Sequence, residues 1–500
     1  MTPRLPLPSD SRALRYVALA AIMVLALAAR LYDLSAESIW TDEAYSIDMA
    51  HRPVSEIVHR AASADTSPPL YYLALHAWQS IFGDSPAAAR MPSVIAGTLA
   101  VLFAYLAAAP LFGSWGGLAA ALLHALSPFH VAYSQEARQY ALLSCASLAS
   151  FALLVRVLRG QRFATPAYIA ATIVVCYTHS VGTFVLLAQV AFVVTYAALS
   201  GGLLPWRRML AAQAIAAAAF LPWAILLLQQ YDRLDGVFWV PVPTLYSVAE
   251  TFYEYVGSTV LVQLCLLLGL LGLVRATPAG GAVSLRHPVR SLEDVVWTVR
   301  LADLKATWLL ICWLTIPIGV LFVISRLATP LYLTRATIAA SSAFYLLAAR
   351  GLTQLGGFGV LVAVLLAMLF TGELAGYYRT TTKEQWSLVA RDVLEHARPG
   401  DVFVFHDRAR QVPFDYYVTR QDLHRVGFPA RRFGDGDSVT EGDMHTFPEW
   451  VDSSPRVWLV LSFGRDRHDR IKERLLRTRT VALHRRYDGV ELWAFERMVR

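Results

Sequence analysis

The sequence predicts an all-α polytopic membrane protein that carries a small α/β domain at its carboxyl end. Three observations support this prediction. Of the 500 residues, 56% are hydrophobic and only 16% are charged, unlike the usage of ordinary soluble domains. Apolar runs recur along most of the chain, and many are long enough to cross about 30 Å of hydrocarbon. The final segment, residues 378–500, lacks such runs and alternates helix-like with strand-like stretches.

Eleven apolar runs are candidate membrane spans. They comprise Tyr16 to Ala29 and the runs near residues 92–111, 114–127, 139–157, 165–179, 181–199, 209–229, 256–274, 307–325, 331–349 and 352–371. Arginines in the connecting loops obey the positive-inside rule if the amino terminus is cytoplasmic and residues 378–500 lie outside. A cleavable signal peptide ending near Ala26-Leu27-Ala28 is the alternative, but an uncleaved anchor fits the later topology better.

We expect a transmembrane domain over residues 1–377 and a soluble extracytoplasmic domain over residues 378–500. The first outer loop, residues 33–89, carries eight acidic residues against only two arginines. Within this loop, apolar residues from Leu70 to Ile81 recur at helical spacing over a segment too short to span a membrane. This pattern predicts amphipathic juxtamembrane helices that lie on the membrane surface.

The soluble domain has both helical and strand signals. Glu384 to Ala397 is helix-like, and two short apolar segments, Asp401 to His406 and Arg456 to Ser462, indicate strands. In the last segment, Val481 to Phe495, alternating residues are interrupted at Asp488-Gly489, which is a strong hairpin signal. A small α/β domain follows from these signals.

The charge pattern argues against a nucleic-acid partner. The formal net charge is +7 at pH 7, but the basic residues are scattered between apolar runs and form no patch. Only three of the 44 basic residues are lysine, a usage typical of GC-rich genomes. We therefore expect a multi-pass protein of the bacterial cytoplasmic (inner) membrane.

Asp42 and Glu43 follow directly after the first span, on its outer side. A carboxylate at the boundary of water and lipid can accept the proton of a hydroxyl nucleophile, so the pair is a candidate catalytic site. A solvated acidic turn is the alternative interpretation.

Glu136 and Arg138 lie in the loop between the third and fourth spans, at the outer end of a helix. Ionisable residues at membrane depth are costly and suggest a function. The guanidinium of Arg138 can hold a phosphate through paired hydrogen bonds, and Arg335 near the outer end of a later span can hold the same phosphate. An interfacial anchor, or a snorkelling arginine, is the alternative for each.

His51, His179 and Tyr140 are further candidates for contacts with a substrate or a metal. Asp42, Glu136 and a histidine together would offer a divalent cation oxygen and nitrogen ligands, although their spacing defines no metal motif. Lone histidines in outer turns are more often structural than catalytic.

Six segments in order along the chain resemble one family. They are Asp42-Glu43, Ser67-Pro-Pro-Leu-Tyr-Tyr72, Arg90-Met-Pro-Ser93, Ser134-Gln-Glu-Ala-Arg-Gln-Tyr140, Tyr177-Thr-His179 and the segment from Pro330 to Arg335. This arrangement resembles the bacterial C-type membrane glycosyltransferases, the superfamily of the protein O-mannosyltransferases and the lipid A aminoarabinose transferase. The resemblance covers about residues 20–380.

The resemblance implies eleven to thirteen spans, a polyprenyl-phosphate sugar as donor, and inversion at the anomeric carbon. It implies that Asp42 is the general base and that Glu136 is the acidic residue of the second outer loop. Arg138 and Arg335 would bind the carrier phosphate, and Glu43 would orient Asp42 or the acceptor. The acceptor would be an extracytoplasmic glycan, lipid or protein.

Two other classes of function remain open at this point. In a transporter or flippase of a lipid-linked sugar, the charged residues would line a path, and broken helices would occur in matching halves. The sequence shows no repeated halves. In a non-catalytic envelope assembly protein, the outer domain would bind a partner and Asp42 would be dispensable.

Overall fold

The computed structural model describes residues 11–63, 65–199, 205–231, 240–278, 297–301, 303–381, 383–406, 408–429, 439–462 and 470–498. The helices of the amino-terminal part are α1 (Ser11–Leu31), α2 (Thr41–Ala50), α3 (Val54–Ser63), α4 (Leu70–Phe82), α5 (Pro86–Leu126), α6 (Pro128–Ser134), α7 (Tyr140–Leu158), α8 (Ala164–Thr178), α9 (Gly182–Leu199), α10 (Trp206–Tyr231), α11 (Leu245–Val256), α12 (Thr259–Leu273), α13 (Leu304–Leu327), α14 (Ile338–Gln354) and α15 (Phe358–Arg379). A two-stranded antiparallel sheet, β1 (Val274–Pro278) and β2 (Trp297–Leu301), lies between α12 and α13.

Each of the eleven predicted spans overlaps a helix, but their number as membrane crossings stays a prediction. Six described helices are long and apolar enough to cross a membrane, namely α1, α5, α7, α10, α13 and α15. The pair α11 and α12, bent by 95°, adds a seventh if it counts as one span, and α8 and α9 are apolar but shorter.

Two predicted runs, 92–111 and 114–127, share the 41-residue helix α5. Helix α5 consists of two segments that pack against each other, since Val101 of the first lies in one buried cluster with Ala121 and Ala125 of the second. Gly113 interrupts it with a φ of 82°, a backbone conformation that glycine adopts without strain. The glycine therefore divides α5 into two helical segments, which correspond to the two predicted runs.

The predicted helix of the first outer loop is α4. Its exposed side carries Ala74, Ala77 and Ile81, while Tyr71 and Leu75 are buried against the rest of the protein. Two further helices of the loop, α2 and α3, precede it. The described part of residues 33–89 thus contains three short helices, α2, α3 and α4.

The carboxyl-terminal part contains the predicted mixture of helices and strands. Its elements are α16 (Trp386–His396), β3 (Val402–His406), α17 (Gln411–Tyr417), β4 (His424–Phe428), α18 (Glu441–His445), α19 (Glu449–Ser453), β5 (Arg456–Ser462), α20 (Arg470–Leu476), β6 (Arg479–Tyr487) and β7 (Val490–Arg497). The five-stranded sheet has the order β4-β3-β5-β7-β6. Strand β3 is parallel to β4 and β5, whereas β7 is antiparallel to β5 and β6.

Both faces of this sheet are covered. Successive side chains of a strand point to opposite faces, and in β3 Phe403 and Phe405 pack with Trp386 of α16, whereas Val402 and Val404 pack with Ile471 of α20. The predicted hairpin joins β6 to β7 at Asp488-Gly489. The boundary between residues 377 and 378 stays a prediction, since α15 runs two residues beyond it.

Candidate active site

Asp42 is the second residue of α2 and lies in the first turn of that helix. Its Oδ2 accepts a hydrogen bond from Nη1 of Arg335 at 3.1 Å, in an ion pair whose two side chains are 28% and 19% exposed. Arg335 comes from a short 3₁₀ helix, Thr334–Thr337, that directly precedes α14. The structure therefore brings together two predicted site residues that are 293 positions apart in the chain.

Arg138, in the loop between α6 and α7, approaches the same turn. Its Nη1 donates to the backbone oxygen of Asp42 at 3.3 Å and to Oγ of Ser46 at 3.2 Å. Among the described residues, the buried Nε atoms of Arg138 and Arg335 have no hydrogen-bond partner. Buried polar atoms are normally paired, so these two donors indicate a missing acceptor.

The Tyr140 ring contacts Arg335, and the His179 ring lies next to the Tyr140 ring. The guanidinium of Arg335 lies 5.6 Å from the centre of the Tyr140 ring, which is a cation–π distance. The His179 ring, in the turn between α8 and α9, is 5.7 Å from the Tyr140 ring. Burial and the charges of Arg138 and Arg335 lower the pKa of His179 to about 3, so its imidazole is neutral.

Glu136 is the second carboxyl group of this region. Its Oε2 is buried and, within the described part of the chain, has no hydrogen-bond partner. Burial raises the pKa of Glu136 to about 7, with a further contribution from the negative charge of Glu43. The positive charge of Lys383 acts in the opposite direction but is the smaller effect. This carboxyl group therefore changes its charge near neutral pH, as expected of a group that handles protons or binds hydroxyls.

The chain has recognisable relatives. A family model described as dolichyl-phosphate-mannose-protein mannosyltransferase matches residues 66–226. The crystal structure of ArnT from Cupriavidus metallidurans bound to undecaprenyl phosphate is similar, with a TM-score of 0.58 and 13% identity, over 97% of this chain and 98% of that chain. No curated protein sequence matches significantly.

The likeness to ArnT shows a shared fold over nearly the whole chain. The oligosaccharyltransferase AglB from Archaeoglobus fulgidus, in complex with an inhibitory peptide and a dolichol-phosphate, has the same fold, with a TM-score of 0.55 and 11% identity, over 91% of this chain and 70% of that chain. At such identities the structural likeness establishes a shared fold, and the chemistry must be argued from the side chains of this protein.

Within this fold, the surroundings of Glu43 favour a supporting role over the predicted catalytic one. Glu43 is fully buried and receives two hydrogen bonds from Arg90, at 2.8 and 2.7 Å. Its carboxylate also accepts from the backbone N–H of Ala137 at 2.8 Å and lies 3.4 Å from Nζ of Lys383. Glu43 thus fastens α2 to α5 and to the α6–α7 loop, and its side chain is fully enclosed by the protein.

The predicted contact residue His51 is separated from Asp42 by the length of α2. His51 follows the last residue of α2, at the opposite end from Asp42, and pairs with Asp84 at 3.2 Å in a half-exposed position. Among the described residues, no group of three His, Cys, Asp or Glu side chains could hold a metal ion. The hypothetical metal ligands Asp42, Glu136 and a histidine are therefore not assembled as a site.

Sequence analysis did not identify the supporting residues. Arg90 belongs to one of the six family-like segments, which points to its importance. In the sequence, its partner Glu43 stands in an acidic pair after the first span, and nothing there indicates that its side chain is buried. Lys383 lies 340 positions from Glu43, and no local pattern connects the two.

We expect the variant Glu43→Gln to destabilise the protein, by about 3–5 kcal/mol, because it leaves Arg90 and Lys383 buried with less compensating charge. Burial alone would raise the pKa of Glu43, but Lys383 and Arg90 hold it at about 2 in the folded protein, against an ordinary 4.5. The stabilisation is therefore complete above pH 4.5 and is lost as the pH falls towards about 2.

The measurement is the thermal unfolding of the purified protein in detergent across this pH range. The control is Glu395→Gln, since Glu395 is an exposed carboxylate on α16. An unfolding midpoint of Glu43→Gln equal to that of the unmodified protein at pH 7 would contradict the assignment.

Proposed function

We propose that the protein transfers a sugar from a polyprenyl-phosphate donor to an acceptor outside the cytoplasm, with inversion at the anomeric carbon. The observation that carries this proposal is the convergence of Arg138 and Arg335 on Asp42, each arginine with a buried Nε that has no partner among the described residues. A phosphate group has enough oxygen atoms to accept from both guanidinium groups. Two cations held near one another in a buried site are costly unless an anion joins them.

Asp42 acts as the general base in this proposal. Its carboxylate takes the proton of the acceptor hydroxyl as the hydroxyl oxygen bonds to the anomeric carbon. The bond between that carbon and the phosphate oxygen breaks, and the polyprenyl phosphate leaves with the electron pair. Arg138 and Arg335 stabilise the negative charge that develops on the leaving phosphate.

The ion pair between Asp42 and Arg335 gives donor binding a role in activation. When a phosphate accepts hydrogen bonds from Arg335, it competes with Asp42 for the same guanidinium. Asp42 is then free to accept from the acceptor hydroxyl. Glu136, in its ionised form, accepts a hydrogen bond from a hydroxyl of the sugar or of the acceptor, while Tyr140 and His179 hold Arg335 in place.

The relatives support the donor class. The ArnT structure contains undecaprenyl phosphate, and the AglB structure contains a dolichol-phosphate, so two proteins of this fold hold polyprenyl-type phosphates. We propose a hexose or a pentose as the sugar and a glycan, lipid or protein as the acceptor. We further propose a bacterial inner-membrane location, with the amino terminus cytoplasmic and residues 378–500 outside, from the distribution of arginines in the loops.

The transporter alternative gains no specific support. It predicts broken helices in matching halves, but among the described helices one pair, α11 and α12, bends by more than 40° at a short break. The assembly alternative makes Asp42 dispensable, which the following experiment tests.

We expect Asp42→Asn to slow the release of polyprenyl phosphate by about 10²- to 10⁴-fold, the usual contribution of a general base. The assay uses radiolabelled polyprenyl-phosphate hexose or pentose, membranes that contain the protein, and crude envelope as acceptor. Asp48→Asn is the matched control, because Asp48 lies on the same helix and pairs with Arg52. Equal release by the two variants, at equal expression, would exclude Asp42 as the base.

We expect kcat/KM to rise with pH through about 7, because the pKa of Glu136 lies there and its ionised form binds the hydroxyl. Glu136→Gln should remove this limb of the profile, since an amide does not titrate. A pH–rate profile of the two proteins between pH 5 and 9 is the measurement. If Glu136→Gln keeps the same limb, another group is responsible for it.

A further inference from the structure

The first turn of α2 is capped by a residue from the far end of the chain. Trp40, which precedes α2, makes no side-chain hydrogen bond to the helix. Instead, Oε2 of Glu384 accepts from the backbone N–H of Thr41 at 3.2 Å and from the Thr41 hydroxyl at 2.5 Å. The first N–H groups of a helix lack partners within the helix, and a carboxylate is a favourable acceptor for them. Glu384 therefore serves as the missing cap, and Asp42 is the next residue of the capped turn.

Glu384 is itself fixed by the carboxyl-terminal part of the chain. The residue is 2% exposed, and its Oε1 accepts from Nη1 of Arg410 at 2.9 Å and from Oγ of Ser462 at 3.1 Å. Its Oε2 also accepts from Nε1 of Trp386 at 2.6 Å. Nη1 of Arg410 donates to the Thr41 hydroxyl at 2.9 Å, so the arginine contacts both members of the cap. A buried carboxylate with this many donors is held in a single orientation.

Further hydrogen bonds join the same two segments. The Ser387 backbone N–H donates to Oγ of Ser38 at 3.1 Å, and the Ile39 backbone N–H donates to the Tyr417 hydroxyl at 2.7 Å. Apolar contacts accompany them, because Val412 of α17 packs against buried residues of α2 and of the turn before it. Residues 38–41, which lead into α2, are thus held in place by Glu384, Ser387 and Tyr417.

We infer that Glu384 is a positioning residue for Asp42, and that the carboxyl-terminal part of the chain is required for the transfer step although it need not touch either substrate. The inference rests on the proposed function, because it assumes that Asp42 is the base. A displacement of about 1 Å in a catalytic group can cost 10²-fold in rate. A turn without its cap frays, and the carboxylate carried by that turn loses its fixed position.

A residue that only connects two parts of the protein, without positioning Asp42, would give a different result when it is replaced. Its replacement would lower the amount or the stability of the folded protein, and it would affect all regions near the contact. A positioning residue changes kcat while the affinity for the donor is kept, because Arg138 and Arg335 remain in place. Its loss also loosens the first turn of α2 while the sheet of the carboxyl-terminal part stays intact.

The test compares full-length Glu384→Ala with Glu384→Gln and with the control Glu395→Ala, in lipid nanodiscs. We expect kcat of Glu384→Ala to fall about 10- to 100-fold with KM for the donor changed less than about threefold. Glu384→Gln keeps an oxygen that can accept from Thr41, and we expect it to recover most of the loss. The control should match the unmodified protein.

Hydrogen–deuterium exchange on the same proteins provides a reading that needs no substrate. In Glu384→Ala, amides of a peptide covering residues 38–46 should exchange about tenfold faster, whereas peptides of β3 and β5 should be unchanged. If Glu384→Ala does not accumulate, Thr41→Val repeats both measurements, since it removes the hydroxyl that donates to Glu384 and accepts from Arg410.

The outcomes separate the two claims. If the unmodified protein transfers sugar and Glu384→Ala has the same kcat, the inference is overturned while the proposed function stands. Unchanged exchange at residues 38–46, or faster exchange across β3 and β5 as well, also overturns it. If no protein in the set transfers sugar, the proposed function fails, and faster exchange confined to residues 38–46 still identifies Glu384 as the cap of α2.

Discussion

The buried ion pair between Glu43 and Arg90 is the interaction on which the rest of the site depends. With 3.6 residues per turn, neighbouring side chains of a helix point about 100° apart. Because Glu43 is locked inward by Arg90 of α5, the adjacent Asp42 must point away from the core, towards Arg335. The same carboxylate accepts the backbone N–H of Ala137, whose two chain neighbours are Glu136 and Arg138. One buried charge therefore sets the direction of Asp42 and anchors the loop that supplies two more site residues.

The site contains two carboxyl groups, of Asp42 and Glu136, and two guanidinium groups, of Arg138 and Arg335. These four groups do not form two separate ion pairs. Asp42 has Arg335, whereas Glu136 has a buried oxygen atom without a partner among the described residues, as do the Nε atoms of both arginines. In the proposed function, these atoms bind polar ligands that are not part of the chain. A phosphate fits the free donors, and a hydroxyl fits the free carboxylate oxygen. Fixed charges that need no rearrangement during the reaction are the main source of catalytic power in many enzymes.

Local patterns in the sequence identified the elements, and long-range contacts accounted for what was missed. The apolar runs predicted helices at the right places, and Asp488-Gly489 predicted the hairpin between β6 and β7. Asp42, Arg138 and Arg335 stand out in the sequence because charged groups next to apolar runs are rare, and the structure brings the three together. The roles of Glu43 and Glu384 depend on partners more than 40 positions away, which no local pattern encodes. The number of membrane crossings does not follow from apolar runs alone, because helices α8 and α9 are short and α11 and α12 form a bent pair.

A structure of the full-length protein in lipid nanodiscs with bound polyprenyl phosphate would test the central claim most directly. The account predicts that oxygen atoms of the phosphate accept hydrogen bonds from both Arg138 and Arg335, at about 2.7–3.2 Å. It also predicts that Asp42 is displaced from Arg335 and faces the space beside the phosphate. A phosphate bound away from both arginines, with the pair between Asp42 and Arg335 intact, would contradict the account.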